Sequence, residues 1–579
     1  MPNRQALRLV IVGGVSGGMA AATRARRLCE TASITVLEAG PYVSYAASGI
    51  PYALSGVIAG PDEVLMHPTS LLKARFNIDV YINSEVVDID RTAKMVTVQR
   101  KGVEGSEFYS YDKLILALGA SASMLVVPGV DLPRVFSLRT IDDMIAIREH
   151  IASHDADTVA VIGGGFIGLE ATTNLTLMGL KVTLLEAASH VYALADAEMV
   201  GPVHAELRRC GVNLLLDESV VAIVEGAGDG AGIRPLSVTT ACGNKFAADL
   251  VIMAVGVQPR TALAFAAGLK IGKLGVSFNE HLQTSDPDIY AVGDMTESEH
   301  LVTDRPTSGA LAGPASRQGR MAADNVWGRN VVWRGNVGTS ICQVFSMTIA
   351  STGLSVHTAE ALGFNVEWVT IHPPNHVTYY PESWPMTLRV VFDRDIGLIL
   401  GAQVTGLEGV DKRIDVLATC IQAAMTMHDL EHLELSYAPQ YSSAKGPINM
   451  AGFVGGNVVD GNVRILHPED LANLTDDWEL VDVRSDEDFF EGHLRGAINV
   501  PLERLRGSAK ALIDQAKRIL LYSEVGYRGY LAYRILDQTG RDVYNLDGGY
   551  KSVVQSRVHL PHDMATRRIR GCKKESGVP

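Results

Sequence analysis

Short apolar runs that end on glycine recur along the chain. They are Leu9-Val10-Ile11-Val12 before Gly13, Leu114-Ile115-Leu116-Ala117-Leu118 before Gly119, Val159-Ala160-Val161-Ile162 before Gly163, Leu250-Val251-Ile252-Met253-Ala254-Val255 before Gly256, and Ile289-Tyr290-Ala291-Val292 before Gly293. Runs this short, without alternation of polar and apolar positions, predict strands buried on both faces, as in a parallel sheet covered by helices. From about residue 460 a new α/β alternation begins that repeats none of the glycine turns. It includes the strand Arg518–Tyr522 and a helix expected from about residue 530 to 538. The stretches 375–381 and 437–445 carry neither period and read as loops.

At 579 residues and 47% apolar content the chain exceeds one hydrophobic core, and about three or four domains are expected. A net charge of −14 argues against nucleic acid as a partner. No apolar run reaches membrane-spanning length, and the first eight residues lack the layout of a signal peptide, so a cytoplasmic protein without membrane contact is expected. The six cysteines are scattered with no C-x-x-C pair, which argues against a disulfide framework or a metal site.

Two of the glycine turns have the form of phosphate cradles. The first reads Gly13-Gly14-Val15-Ser16-Gly17-Gly18 ahead of an Ala/Arg-rich helix, and the next strand ends on Glu38. The second reads Gly163-Gly164-Gly165-Phe166-Ile167-Gly168, followed by a strand that ends on Glu186. Glycines let the backbone approach a pyrophosphate at a helix N-terminus, and the terminal acid suits ribose hydroxyls. Val15 replaces the middle glycine of the first fingerprint. Two such units in register predict two bound nucleotides, and Glu186 should repel a 2′-phosphate, favouring NADH over NADPH.

With the segments around Ala117 and Gly119, the run into Gly256, and Gly293-Asp294, the chain resembles the FAD-dependent pyridine nucleotide-disulfide oxidoreductases. The resemblance implies an FAD-binding domain in two parts, 1–124 and 253–330, with Asp294 on the ribityl chain. It also implies an NAD(H)-binding domain at 125–252, with Phe166 as an aromatic gate over the flavin or a packing residue, and a dimerisation domain at 331–450 that makes a homodimer.

The segment 40–52, with Ala47-Ser48-Gly49-Ile50-Pro51-Tyr52, resembles the single-cysteine branch, which includes coenzyme A disulfide reductases and NADH-dependent persulfide reductases. Ser48 stands at the cysteine position, with Pro51 suited to the first turn of a helix behind it. The resemblance places coenzyme A against Arg24, Arg27, Ser44 and Lys445, and Tyr379 and Tyr437 at the partner subunit's active site. The bland alternatives are a solvated helix face for the arginines and ordinary packing for the tyrosines. Ala47 stands where the relatives often have asparagine.

Three motifs in order, Glu479-Leu480-Val481-Asp482-Val483-Arg484, Gly492-His493-Leu494-Arg495-Gly496-Ala497 and Asn545-Leu546-Asp547-Gly548-Gly549-Tyr550, resemble a rhodanese domain at 460–557, followed by a basic tail at 558–579. Its active loop would be Ser523-Glu524-Val525-Gly526-Tyr527-Arg528, curled so that backbone amides point at residue 523, again a serine where cysteine is expected. His493 reads as a turn-former and Arg484 as a structural ion pair.

The implied function is FAD-dependent, NADH-linked reduction of CoA disulfide, CoA persulfide or polysulfide, coupled to sulfane-sulfur handling. The paired serines read as cysteine replaced at both positions in an inactive, trapping form. The alternatives are a naturally thiol-less flavoprotein that binds CoA and NADH or senses sulfur, and an NADH oxidase.

Overall fold

The computed structural model describes residues 7–226, 235–507, 513 and 517–556. The expected basic tail lies outside the described residues. The chain separates into two compact units. The first holds the described residues up to Tyr192 together with Leu207–Gly338, and the second holds Ala193–Glu206 and the described residues from Thr339 onward.

The first unit contains two five-stranded parallel sheets. One has the order Ile289–Ala291, Lys113–Leu116, Arg8–Val12, Ser33–Leu37, Asp79–Tyr81. The other has the order Asn213–Leu215, Lys181–Leu185, Thr158–Ile162, Leu250–Met253, Val135–Ser137. In each, the strand that runs into the glycine fingerprint is central, which explains why it is apolar on both faces. Leu9 and Ile11 pack with Met19, Ala21 and Ala22 of the helix Ser16–Leu28, while Val10 and Val12 pack with Val96, Val98 and Tyr111. The first sheet takes its edge strand from Ile289–Ala291, so it is built from two stretches of chain with the second sheet inserted between them. Ala120–Ala122 and Val257–Pro259 pair antiparallel where the chain leaves and returns.

The second unit has a five-stranded antiparallel sheet, ordered Ser340–Val344, Met347–Gly353, Ile399–Gly406, Met386–Asp393, Val366–Ile371. Its parallel sheet has the order Ile465–Leu466, Val543–Leu546, Arg518–Tyr522, Trp478–Asp482, Ile498–Asn499. The helix after Arg518–Tyr522 corrects one expectation. It spans Tyr527–Asp537 rather than starting near residue 530, because Gly526 takes a left-handed φ of 88° and caps it, leaving Tyr527 and Arg528 in the first turn.

A buried ionic cluster joins these two sheets. Thr370 N donates to Asp547 Oδ1 at 2.9 Å, and His467 Nε2 lies 2.8 Å from Glu367 Oε1. The His467 ring stacks on Trp368 with centroids 3.6 Å apart, and its Nδ1 is 3.4 Å from Asp547 Oδ2, an ion pair too long for a good hydrogen bond. Burial alone would lower the imidazole pKa, but the Asp547 and Glu367 carboxylates outweigh it and push it up to about 9.

A raised histidine pKa stabilises the fold fully below the unfolded value of about 6.5, and that stability is lost as pH rises through the folded value. Between about pH 7 and about pH 10 the contact should lose on the order of 2–3 kcal/mol. Thermal unfolding at the two pH values, compared with His467→Gln, checks this: the variant should show a distinctly flatter pH dependence.

Candidate active site

At the first cradle the backbone folds so tightly that only glycine fits. Gly13 has a φ of 102°, and a Cβ there would stand 2.2 Å from Ala117 O; one at Gly18 would stand 1.8 Å from Gly13 O. The helix Ser16–Leu28 starts after Val15 with no side-chain cap, so side chains leave its first N–H groups to a ligand. Gly17 packs beside Val292, at the end of the edge strand. Glu38 Oε2 accepts from Gly14 N at 2.7 Å and its Oε1 from Gly40 N at 2.8 Å, which fixes the carboxylate at the cradle's rim. Gly119 turns with a φ of 65°, and Asp294, after Gly293, is held 3.1 Å from Arg139 Nη2.

The second cradle repeats this construction. Gly163 has a φ of 105°, and a Cβ at Gly168 would stand 1.9 Å from Gly163 O. Glu186 Oε2 accepts from Gly164 N at 2.6 Å and its Oε1 from Ala188 N at 2.8 Å. A cavity of about 480 Å³ opens here, lined among others by Gly165, Phe166, Glu186, Glu218 and Gly256. A Cβ at Gly165 would meet nothing within 4 Å, as an open cradle requires. Both cradles fit the pyrophosphate and ribose of a dinucleotide.

Ser48 is exposed in the single 3₁₀ turn Ala47–Gly49, just ahead of the helix Ile50–Ser55 with Pro51 in its first turn. That helix has only six residues, so the dipole behind residue 48 is short. Tyr52 Oη donates to Glu170 Oε1 at 3.1 Å and Ser55 Oγ to Asn174 Oδ1 at 2.6 Å, fastening the helix to Phe166–Leu177. Burial raises the Glu170 carboxyl pKa against the opposing pull of the Tyr52 hydroxyl. Ser44 takes a left-handed φ of 51°, with its Oγ 3.4 Å from His67 Nδ1.

The two arginines on the first helix differ. Arg24 is half-buried and committed to Asp324, Nη2 to Oδ1 2.6 Å, whereas Arg27 is exposed. In the second unit, Tyr379 and Tyr437 come together from separate loops with their hydroxyls 3.3 Å apart, both exposed, and Lys445 is exposed too.

Ser523 is buried at the end of Arg518–Tyr522, where its Oγ accepts from Gly529 N at 3.1 Å. Tyr550 N donates to Ser523 O at 2.8 Å and Lys551 N to Glu524 O at 2.9 Å, so the 549–551 segment holds the loop from behind. Arg484 bridges Asp482, at 2.7 Å, and Glu524, at 2.9 Å. His493 Nδ1 is 2.9 Å from Phe489 O and the ring stacks on Phe489, in keeping with a turn-former. Val525 and Tyr527 are exposed at the rim, and Arg528 lies 3.4 Å from Asp488.

A family model described as pyridine nucleotide-disulphide oxidoreductase matches residues 7–319, more than half of the chain. The chain belongs to the pyridine nucleotide-disulphide oxidoreductase family. That family's dimerisation-domain model matches residues 339–446, and a rhodanese-like domain model matches residues 467–556.

Among solved structures, the reduced CoADR-RHD protein of Bacillus anthracis is 38% identical with a TM-score of 0.93, the match covering 97% of this chain and 100% of that one. The NAD-dependent persulfide reductase from A. fulgidus is 33% identical with a TM-score of 0.87, covering 94% and 99%. The CoA-dependent NAD(P)H sulfur oxidoreductase of Pyrococcus abyssi is 34% identical over 443 residues, 76% of this chain and 96% of that protein. This pyridine nucleotide-disulphide oxidoreductase is therefore of the FAD- and NAD(P)H-dependent kind, with a rhodanese domain appended.

Several site residues escaped the sequence reading of this oxidoreductase. Arg139 at Asp294, Asp324 at Arg24, Glu170 at Tyr52, and Glu218 in the cavity wall all come from distant stretches of chain, and no local spacing announces them. Among the described residues no helix is long and apolar enough to cross a membrane, and no group of three His, Cys, Asp or Glu is placed to hold a metal.

Proposed function

We propose that this protein is built as an NADH-linked, FAD-dependent reductase of CoA disulfide, CoA persulfide or polysulfide, joined to a sulfane-sulfur-handling rhodanese. In this reading it is present in a form without a thiol at residues 48 and 523, which binds its ligands without turning over. The observation that carries the reading is that the two positions assigned to sulfur by the resemblance both hold a hydroxyl. Ser48 is exposed on the turn ahead of Ile50–Ser55, and Ser523 is buried with its oxygen taking the Gly529 N–H.

A flavin held at the first cradle would supply two-electron redox chemistry between nicotinamide and a thiol, were one present at residue 48. The chain's own residues do the rest in this proposal. Glu38 and Glu186 orient riboses, Asp294 orients the ribityl chain, and Phe166 shields the ring face until nicotinamide arrives. Arg27 takes the 3′-phosphate of CoA, with Ser44 at another of its contacts. Arg24, already paired with Asp324, positions the helix and adds little free charge. The dimerisation domain brings Tyr379 and Tyr437, as a hydroxyl pair, to the site of a second copy. The support is the family match, the appended rhodanese domain and the names borne by the relatives.

Calorimetric titration of the flavin-loaded protein with CoA tests the ligand assignment. Arg27→Ala should weaken CoA by about tenfold, the worth of one charge-assisted contact. Dephospho-CoA should bind the unaltered protein about as weakly as CoA binds the variant. No CoA binding by the unaltered protein would sink the CoA assignment.

A further inference from the structure

The dinucleotide cavity carries a second carboxylate that the glycine-and-acid fingerprint does not include. Glu218 follows the strand Asn213–Leu215 and lines the cavity wall next to Ser219 and Val220. Its backbone N–H donates to Glu186 O at 2.9 Å, which sets the two acids on adjoining stretches of the wall. Asn244 Nδ2 holds Glu218 Oε1 at 2.6 Å, and Glu218 Oε2 is buried without a hydrogen-bond partner. The Glu186 oxygens are held by the N–H groups of Gly164 and Ala188.

Among the described residues neither carboxylate forms an ion pair, so the wall carries two uncompensated negative charges. A partly enclosed cavity screens such charges less than open solvent does, and a 2′-phosphate brings further negative charge against them. Building in a repulsive element is a general route to selectivity between closely similar ligands.

We propose that Glu218 is a specificity determinant that acts with Glu186 to exclude a 2′-phosphate, selecting NADH over NADPH. The proposal rests on the reading of this cavity as the nicotinamide-dinucleotide site. Glu186 stands at the strand end suited to ribose hydroxyls, whereas Glu218 offers no accessible free oxygen and acts through its charge. Removing that charge should therefore change the phosphate-bearing ligand far more than the other.

The test is calorimetry on the flavin-loaded, full-length protein with ADP-ribose and 2′-phospho-ADP-ribose, which carry the adenosine half without the reactive ring. The unaltered protein should prefer ADP-ribose. Glu218→Gln should leave ADP-ribose binding within about twofold and shrink the preference by about tenfold, with a smaller effect at high salt. Glu218→Ala, which removes the buried polar atoms altogether, should move the preference the same way.

An unchanged preference in both variants, with ADP-ribose binding intact, overturns the inference and leaves the dinucleotide site standing. Loss of ADP-ribose binding in both variants also overturns it, because Glu218 would then be a ligand or packing group rather than a charge. Failure of the unaltered protein to bind ADP-ribose overturns the dinucleotide-site reading itself.

Discussion

Ser48→Cys is expected to raise CoA-disulfide-dependent NADH oxidation by at least about 100-fold over the protein as it stands. A serine hydroxyl does not ionise usefully near neutral pH, whereas a free thiol with a pKa of about 8.5 is already a few per cent thiolate and is intrinsically nucleophilic. The thiolate attacks one sulfur of CoA disulfide, forming a mixed disulfide at residue 48 and releasing one CoA thiolate. Two electrons from NADH then cleave the mixed disulfide, releasing the second CoA and restoring the thiolate. Oxygen cannot enter this cycle, because no mixed disulfide forms on it.

The measurement is NADH consumption, anaerobically and in air, with and without CoA disulfide or polysulfide, for the unaltered protein, Ser48→Cys, and Ser48→Cys/Ser523→Cys. The double variant should add turnover with polysulfide or CoA persulfide, because residue 523 sits in a buried loop that offers the Gly529 N–H to an anion. No gain in either variant would favour a binding or sensing protein. NADH oxidation equal in all three forms, and dependent on oxygen alone, would favour an oxidase.

The parts of this protein legible in its sequence are those coded locally. A glycine turn between a buried strand and a helix needs only a few consecutive residues to announce itself, because the backbone there tolerates no side chain. Gly13, Gly18, Gly163 and Gly168 each face a carbonyl closer than any Cβ could approach. The rhodanese domain was likewise legible from contiguous motifs, and the matching family model covers residues 467–556.

What was not legible depends on partners far apart in sequence. Arg24 is neutralised by Asp324, 300 residues away, so an arginine read as ligand-facing spends its charge inside the fold. The helix after Ser523 starts at Tyr527 because Gly526 turns left-handed, a backbone choice that the surrounding side chains do not advertise. The antiparallel sheet was foreseen only as a domain. Its strands Met386–Asp393 and Ile399–Gly406 are buried on nearly every position, so they show no alternation, and they carry polar residues such as Arg389 and Gln403 inside.

Arg389→Met should destabilise the second unit by about 3–5 kcal/mol. Arg389 is buried in the strand Met386–Asp393. Its Nη1 lies 3.2 Å from both Asp196 Oδ2 and Glu198 Oε2, and its Nε donates to Thr370 Oγ1 at 3.1 Å. Burial pulls the guanidinium pKa down, but Asp196 and Glu198 outweigh it and raise it further above its ordinary value, so the group stays charged. Asp196 is buried as well, and its remaining donors are Gln403 Nε2 at 2.5 Å and the N–H groups of Val356 and His357.

Methionine fills much of the space but leaves Asp196 a buried anion without its cation, and that uncompensated charge supplies most of the cost. Asp196→Asn in the same chain removes the anion, so the double variant should recover about 1–3 kcal/mol relative to the sum of the two single changes. Denaturant unfolding followed by tryptophan fluorescence suits the measurement, because Trp368 lies 6.0 Å from the Arg389 guanidinium. A loss below about 1 kcal/mol in Arg389→Met would mean that water reaches the carboxylate once the cation is gone, and that the pair is not sealed within the unit.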